Sequence, residues 1–232
     1  MNDHTVKAFD DDITTLRGMV AEMGGLAEAA IANALQALTK RDAKLAAAVI
    51  ADDKKIDALE MDIERLAIQI IALRAPMAND LREVVAALKI GGVLERIGDY
   101  SKNIAKRSLH VGNLGKIEPL VLIPAMAEIA GEMVRDVLNA FAARDAQLAV
   151  RVCETDKKVD GFYNSIFRAL VSHMMENPAT IGNVAHLLFV AKNLERIGDH
   201  ATNVAEMVYY AATGDHMEER EKVAADDDSV GG

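Results

Sequence analysis

Apolar residues recur every three or four positions along almost the whole chain, which is the spacing of one face of an α-helix. In the clearest stretch they fall on one stripe: Ile56, Leu59, Ile63, Leu66 and Ile70. Turn-forming residues interrupt the pattern at 39–43, 74–80, 110–119, 142–146 and 176–183. The pattern therefore predicts six long helices of roughly 25 to 32 residues each.

The sequence also repeats itself. The stretch "LERIGDYSKNIA" begins at Leu94, and "LERIGDHATNVA" begins one hundred residues later at Leu194. An earlier pair, "RDAKLAAAVIADDKKID" from Arg41 and "RDAQLAVRVCETDKKVD" from Arg144, extends the repeat to the preceding helix. We therefore predict an all-α protein built from two tandem, internally repeated three-helix bundles. Their predicted bounds are 1–113 and 114–214, followed by an acidic, disordered tail at 215–232.

Composition supports helices and narrows the classes of partner. Hydrophobic residues make up 51% of the chain but aromatics only 4%, whereas strands are rich in aromatic and β-branched side chains. A net charge of −10 argues against a nucleic-acid-binding surface. The chain has a single cysteine, an acidic start unlike a signal peptide, and no apolar run of about 20 residues. These features predict a soluble cytoplasmic protein that meets membranes only through partners.

Acidic residues recur on matching helical faces of the two halves. Within the repeated motif, Glu95, Asp99 and Asn103 lie nearly opposite the apolar face, which predicts a stripe that points outward. The second copy places Glu195 and Asp199 in the same way. On the preceding helices, further acids share one flank: Asp53, Asp57, Glu60 and Glu64 in the first half, and Asp156 and Asp160 in the second. Adjacent helices would then bring carboxylates of both helices together in each half.

These carboxylates need a positive partner, because like charges four residues apart on a helix repel by about 0.2 to 0.5 kcal/mol per pair. Salt bridges could come from Arg96, Arg196, Lys102 and Lys106, but the counterparts of the two lysines in the second half are Thr202 and Glu206. A metal ion is therefore the better counter-charge. Oxygen ligands favour hard cations, with Mg²⁺, Mn²⁺ or iron as the leading candidates.

Each copy of the motif also places a glycine, Gly98 or Gly198, in the middle of its helix. A glycine there costs about 1 kcal/mol relative to alanine. Both glycines border the core face, and no glycine-rich loop precedes a helix start, so phosphate binding does not explain them. We therefore expect a neighbouring helix to approach closely at these two positions.

With the doubled "LERIGD" motif, the stretches "DKKID" and "DKKVD", and "RAPMANDLR" all in place, the sequence resembles the PhoU family, the accessory regulators of the phosphate-specific ABC transporter. The resemblance covers about 10–212 and implies two three-helix bundles with metal-binding E/DxxxD motifs on their surfaces. It places the metal ligands on Asp53, Asp57, Glu95, Asp99, Asp156, Asp160, Glu195 and Asp199. Candidate accessory ligands are Asn103, Asn203, Glu206, Glu60 and Glu64.

The resemblance further implies a non-catalytic regulator. Such a protein would repress the phosphate-starvation response when phosphate is plentiful, through contact with the transporter's ATPase and a membrane sensor histidine kinase, and would control the transporter itself. The family's "PxAxDLR" element falls on 76–82, which makes Asp80 and Arg82 candidate partner contacts. The matching turn of the second half lacks both residues. We also expect a homodimer.

Two other functions compete with this one. A ferritin-like di-iron enzyme would need Glu-x-x-His pairs, and none of the six histidines follows a glutamate at that spacing. His200 is the one histidine that adjoins a candidate ligand, Asp199. A metal-free helical adaptor, whose acidic stripes serve only solubility, is the second alternative. The sequence contains no Ser-His-Asp, Cys-His or Walker-type arrangement, so we expect binding rather than catalysis.

Overall fold

The computed structural model describes residues 2–111 and 119–217 and contains six long helices within them. These are α1 (Asn2–Lys40), α2 (Ala43–Arg74), α3 (Asn79–Ser108), α4 (Pro119–Ala143), α5 (Ala146–Glu176) and α6 (Ile181–Thr213). A short 3-10 turn, Pro178–Thr180, precedes α6. The described ranges hold no β-strand, so the all-α prediction is confirmed. Most of the predicted tail, from 218 onward, lies outside the described residues.

The length prediction is wrong for α1, which extends over 39 residues, and it falls just short for α6, which has 33. No proline or glycine precedes Gly18, so nothing in the first turns of α1 stops the helix.

No helix in the described part of the chain is both long and apolar enough to cross a bilayer.

The repeated "RDA" element builds the first turn of each half. Arg41 and Arg144 adopt left-handed backbone conformations, with φ of 55° and 52°. The next residues, Asp42 and Asp145, cap α2 and α5 by accepting hydrogen bonds from the backbone N–H groups two and three positions later, at 3.0 Å and 2.9 Å. Because a capping carboxylate satisfies N–H groups that the helix cannot, this turn fixes where each second helix begins.

Each half packs as a three-helix bundle, and the two bundles meet along α3 and α6 and along α1 and α4. Helices α3 and α6 run antiparallel: Arg82 near the start of α3 lies beside Gly214 at the end of α6. At the other end, Arg107 of α3 contacts His186 and Phe189 near the start of α6. The buried apolar residues of both halves form one continuous core. The two predicted bundles therefore share a single hydrophobic interior.

Equivalent motif positions meet at the centre of this antiparallel pair. Tyr100 and His200, which occupy the same place in the two copies of the motif, pack edge to face with ring centroids 5.2 Å apart. A contact between equivalent positions is what an approximate two-fold axis between the halves produces. The repeated motif thus has one side against the other half and another side against the preceding helix of its own half.

Candidate functional site

The acidic residues gather where the second and third helices of each half pack together. We call the α2–α3 junction the first seam; its acids are Asp53, Asp57, Glu60, Glu95 and Asp99. The α5–α6 junction is the second seam; its acids are Asp156, Asp160, Glu195 and Asp199. In both seams, acids from the earlier helix face acids from the repeated motif, as the sequence predicts.

The two motif glycines allow this close packing. A Cβ atom added at Gly98 would lie 2.9 Å from Ile56 Cδ1 and 3.6 Å from Asp53 Oδ1. At Gly198 it would lie 2.9 Å from Asp156 Oδ1 and 3.3 Å from Val159 Cγ1. The expected close approach is confirmed, and it gives "LERIGD" a structural meaning: the glycine leaves room for a side chain of the preceding helix, Ile56 in the first half and Asp156 in the second.

Two of the predicted ligands are more deeply placed than the sequence indicated. Asp53 is 6% exposed and Asp156 is 8% exposed, so both are buried in the seams and do not lie on an outer face. The motif acid Glu195 is itself half-buried, whereas Asp199 is exposed. The expectation that the acids lie on outer faces is therefore wrong for Asp53 and Asp156, because the flank that carries each of them packs against the motif helix.

Electrostatic coupling follows from this geometry. Burial raises the pKa of Asp57, and the neighbouring Asp53 carboxylate raises it further. Burial likewise raises the pKa of Glu95, with added repulsion from Asp99 and Glu60. These carboxylates stand close enough together to disfavour one another's charge, which is the condition under which a positive group binds.

Lys102 supplies that positive group in the first seam. Its ammonium donates hydrogen bonds to Asp53 on α2 and, at 2.6 Å, to Asp99 Oδ1 one turn earlier on α3. Burial alone would lower the pKa of Lys102, but the hydrogen bonds to Asp53 and Asp99 outweigh it and raise this pKa above its usual range. The salt-bridge role that the sequence offered for Lys102 is confirmed.

The second seam carries its positive charge elsewhere. Thr202, at the position of Lys102, donates its hydroxyl to the backbone carbonyl of Asp199 at 2.6 Å. Lys192, one turn before the motif glutamate, donates to Glu195 Oε1 at 2.6 Å and lies 5.0 Å from the Tyr163 ring centroid. The prediction that local cations disappear from the second half is therefore wrong. It missed Lys192, although the three-residue spacing to Glu195 was a usable signal.

Glu195 itself is imperfectly satisfied. Its Oε2 atom is buried and has no hydrogen-bond partner, although the Lys192 ammonium lies 2.6 Å away outside hydrogen-bonding geometry. Burial raises the pKa of Glu195, Lys192 lowers it, and Asp199 and Asp160 raise it again. Both carboxylate oxygens of Glu195 therefore lie 2.6 Å from the Lys192 ammonium, which is the counter-charge of this residue in the second seam.

The predicted accessory residues are spread more widely. Asn103 and Glu60 are half-buried, whereas Asn203, Glu206 and Glu64 are exposed. Of the two candidate partner contacts, Asp80 is exposed. Arg82 is half-buried, donates to the side chain of Asn79, and rests against the backbone of Gly214, so at least part of its role is intramolecular.

The described acidic side chains do not converge on a metal site. As placed, the described residues contain no group of three or more His, Cys, Asp or Glu side chains that could hold one. In the first seam the Lys102 ammonium already lies between Asp53 and Asp99. In the second seam the donors are all carboxylates, and Glu195 Oε2 lacks a hydrogen bond. The metal ligands therefore remain a prediction.

One ion-pair network outside the seams was not predicted. Glu83, 6% exposed, pairs with Arg17 of α1 and with Arg144 in the turn between α4 and α5. It therefore ties α3 of the first half to a turn of the second half. The available signal was that the apolar stripe of Ala87 and Ile90, continued back by one turn, reaches a glutamate.

Both halves of the chain resemble known proteins. The family model for the PhoU domain matches the chain twice, at 20–108 and at 123–208. The chain belongs to the PhoU family. It is 56% identical over 217 residues to a phosphate-specific transport system accessory protein PhoU homolog of Zymomonas mobilis, covering 94% of this chain and 92% of that one. A Caulobacter vibrioides homolog is 47% identical and covers 94% and 95% of the two chains.

Solved PhoU structures agree with this fold. The crystal structure of PhoU from Pseudomonas aeruginosa superposes with a TM-score of 0.85 at 36% identity, covering 89% of this chain and all of that one. The phosphate transport system regulatory protein PhoU from Streptococcus pneumoniae also gives a TM-score of 0.85, at 27% identity and 91% coverage of this chain. The resemblance inferred from the doubled "LERIGD" motif is confirmed.

Proposed function

We propose that this chain is a non-catalytic regulator of phosphate uptake, which represses the phosphate-starvation response when phosphate is plentiful. One observation carries the proposal: a PhoU-family relative named as a phosphate-specific transport system accessory protein aligns with 94% of the chain at 56% identity. The alignment is long enough to span both halves. A regulator of this kind acts by binding, and the described surface offers acids and exposed apolar side chains for it.

The proposed partners are the transporter's ATPase and a membrane sensor histidine kinase, met in the cytoplasm. The turn between α2 and α3 supports a docking role. Met77 is 79% exposed there, with Leu73 and Asp80 also exposed nearby. Exposed apolar side chains beside a charge are typical of a surface that a partner covers. The equivalent turn of the second half exposes Met175 and Ile181, so each end of the molecule has such a surface.

We further propose that hard metal ions such as Mg²⁺, Mn²⁺ or iron bind at the acidic seams. Oxygen-only donors support this, with Asp160, Glu195 and Asp199 in the second seam as the ligands of choice. A bound ion would neutralise the carboxylates that now raise one another's pKa. A second candidate, the metal-free adaptor, is favoured by a specific observation: Lys102 and Lys192 already provide counter-charge within the chain.

A deletion and complementation experiment tests the regulatory role. In cells that lack the gene for this chain, a phosphate-starvation reporter should be active in phosphate-rich medium, and restoring the wild-type chain should silence it. Affinity purification of the restored chain at high phosphate should recover the transporter ATPase and the kinase. An inactive reporter in the deletion strain, at wild-type phosphate uptake, would contradict the proposal.

The same preparations separate the remaining proposals. Elemental analysis of protein purified without chelator should find bound metal if the seams take ions, and none if the chain is a metal-free adaptor. Sedimentation analysis should give twice the chain mass of 25.0 kDa if the protein is a homodimer. Sedimentation at a single chain mass would contradict the homodimer.

A further inference from the structure

We propose that the Lys102 ammonium takes the place of a metal ion in the first seam and excludes metal from it, which makes the two halves of the chain unequal in cation binding. This inference rests on the metal binding put forward above. Lys102 lies within the first copy of the repeated motif but is not part of an E/DxxxD pair. Lys102 would then determine which half of the protein is open to a cation.

The position of the ammonium is that of a bridging cation. It contacts a carboxylate of α2, Asp53, and a carboxylate of α3, Asp99, and so joins the two helices of the seam. An ammonium has three donors and no acceptor, which suits a point between two carboxylates. A metal ion that joined the same helices would need the same oxygens, at about 2.0 to 2.6 Å. It would therefore have to displace Lys102.

The lysine is also held firmly. Its side chain is 22% exposed, and the Asp53 side chain that it contacts is buried. The Asp53 Oδ1 atom also lies close to α3, 3.6 Å from where a Cβ of Gly98 would be. A metal ion at the same oxygens would have to break both ion pairs of Lys102 and give up part of its own hydration. The ion pairs already present therefore oppose displacement by a metal.

The second seam lacks a lysine at this point. Thr202 occupies the equivalent position and brings no charge, and its hydroxyl is used by the Asp199 carbonyl of the same helix. Lys192 lies at the other end of the motif, against Glu195 and the Tyr163 ring. In the first seam the lysine charge therefore lies between the two helices, whereas in the second seam it lies at one end of the motif.

Titration of the purified full chain with Mn²⁺ by calorimetry tests the exclusion. Lys102→Thr, which copies Thr202, should bind one more Mn²⁺ per chain than the wild type, or bind Mn²⁺ at least about tenfold more tightly. Added Mn²⁺ should also raise its melting temperature more than that of the wild type. Lys106→Thr is the matched control, since it removes an exposed lysine one turn along α3 and should titrate like the wild type.

Two outcomes would overturn the proposal. One is a Lys102→Thr protein, folded by circular dichroism, whose Mn²⁺ stoichiometry and affinity equal those of the wild type. The other uses Asp99→Asn and does not depend on the lysine variant folding: this change should leave wild-type stoichiometry unaltered, and a loss of one Mn²⁺ per chain would show metal in the first seam. The phosphate-starvation reporter is a separate readout, so either result leaves the regulatory proposal to its own test.

Discussion

The two seams share one backbone plan but place their positive charge at opposite ends of the motif. In the first seam the ammonium belongs to Lys102, after the motif aspartate, and in the second it belongs to Lys192, before the motif glutamate. In both, a glycine leaves room for a side chain of the preceding helix, Ile56 in the first seam and Asp156 in the second. Packing and charge are therefore specified by different residues, so the helix packing can be repeated while the position of the positive charge changes.

The residues at the end of each seam also differ in charge between the two halves. Glu60 of the first seam lies beside Gly92, 3.5 Å from where a Cβ would be. Their counterparts in the second seam are Tyr163 and Lys192, and the ammonium there lies over the aromatic ring. Where the first seam has a glutamate beside a glycine, the second has a tyrosine ring beside a lysine. A cation–π contact holds that lysine in place.

The largest effect should come from removing Lys102, and removing Lys192 should matter much less. Lys102→Met leaves Asp53 buried without its counter-ion and should lower the free energy of unfolding by about 2 to 3 kcal/mol, below the usual cost of breaking a buried pair because the lysine is partly exposed. Lys192→Met should cost under about 1 kcal/mol, since its side chain is 40% exposed. Urea denaturation compares the two, with exposed Lys106→Met as the control. Equal losses would remove the difference between the seams.

The sequence predicts the positions of the helices well and the pairing of the charged side chains less well. Periodicity and the "RDA" turns locate the helices because both are local signals, namely a spacing of apolar residues and a capping aspartate. The burial of Asp53 was not predictable from a helical wheel, since a wheel shows a flank but not which helix covers it. Glu83 depended on more distant information still, because its partner Arg144 belongs to the other half.

The motif glycines should differ in their tolerance of a methyl group. Gly198→Ala should destabilise the protein by about 1 to 2 kcal/mol, because the new Cβ meets the buried Asp156 carboxylate and the stiff, β-branched Val159. Gly98→Ala should cost less, since its closest contact is the movable end of Ile56. Gly161→Ala on α5, with open space around it, is the control and should stabilise by up to about 1 kcal/mol. Thermal unfolding ranks the three, and a reversed order would contradict this packing.

The capping aspartates should behave alike in the two halves. Asp42→Ala and Asp145→Ala each remove a carboxylate that accepts two backbone N–H groups, and each should cost about 1 kcal/mol. Equal costs would support a shared backbone plan, and Asn at either position should restore most of the loss. A loss of stability in only one of the two variants would contradict a shared backbone plan.

The smallest effect concerns pH at the contact between the halves. Burial lowers the pKa of His200, although Asp199 opposes this. The unfolded chain therefore takes up a proton first as the pH falls through about 6.5, and the stability contributed by neutral His200 is lost on acidification. His200→Tyr, which copies Tyr100, should reduce the fall in melting temperature between about pH 7.5 and pH 5.5. An unchanged fall would argue against a buried neutral His200.

A double-mutant cycle between Asp53 and Lys102 tests the central claim most directly, namely that the first seam is closed by a cation of the chain itself. Unfolding free energies of the wild type, Asp53→Asn, Lys102→Met and the double variant should give a coupling of about 1 to 3 kcal/mol, because Lys102→Met leaves the buried Asp53 carboxylate without its counter-ion only while Asp53 is charged. A coupling indistinguishable from zero would contradict the claim.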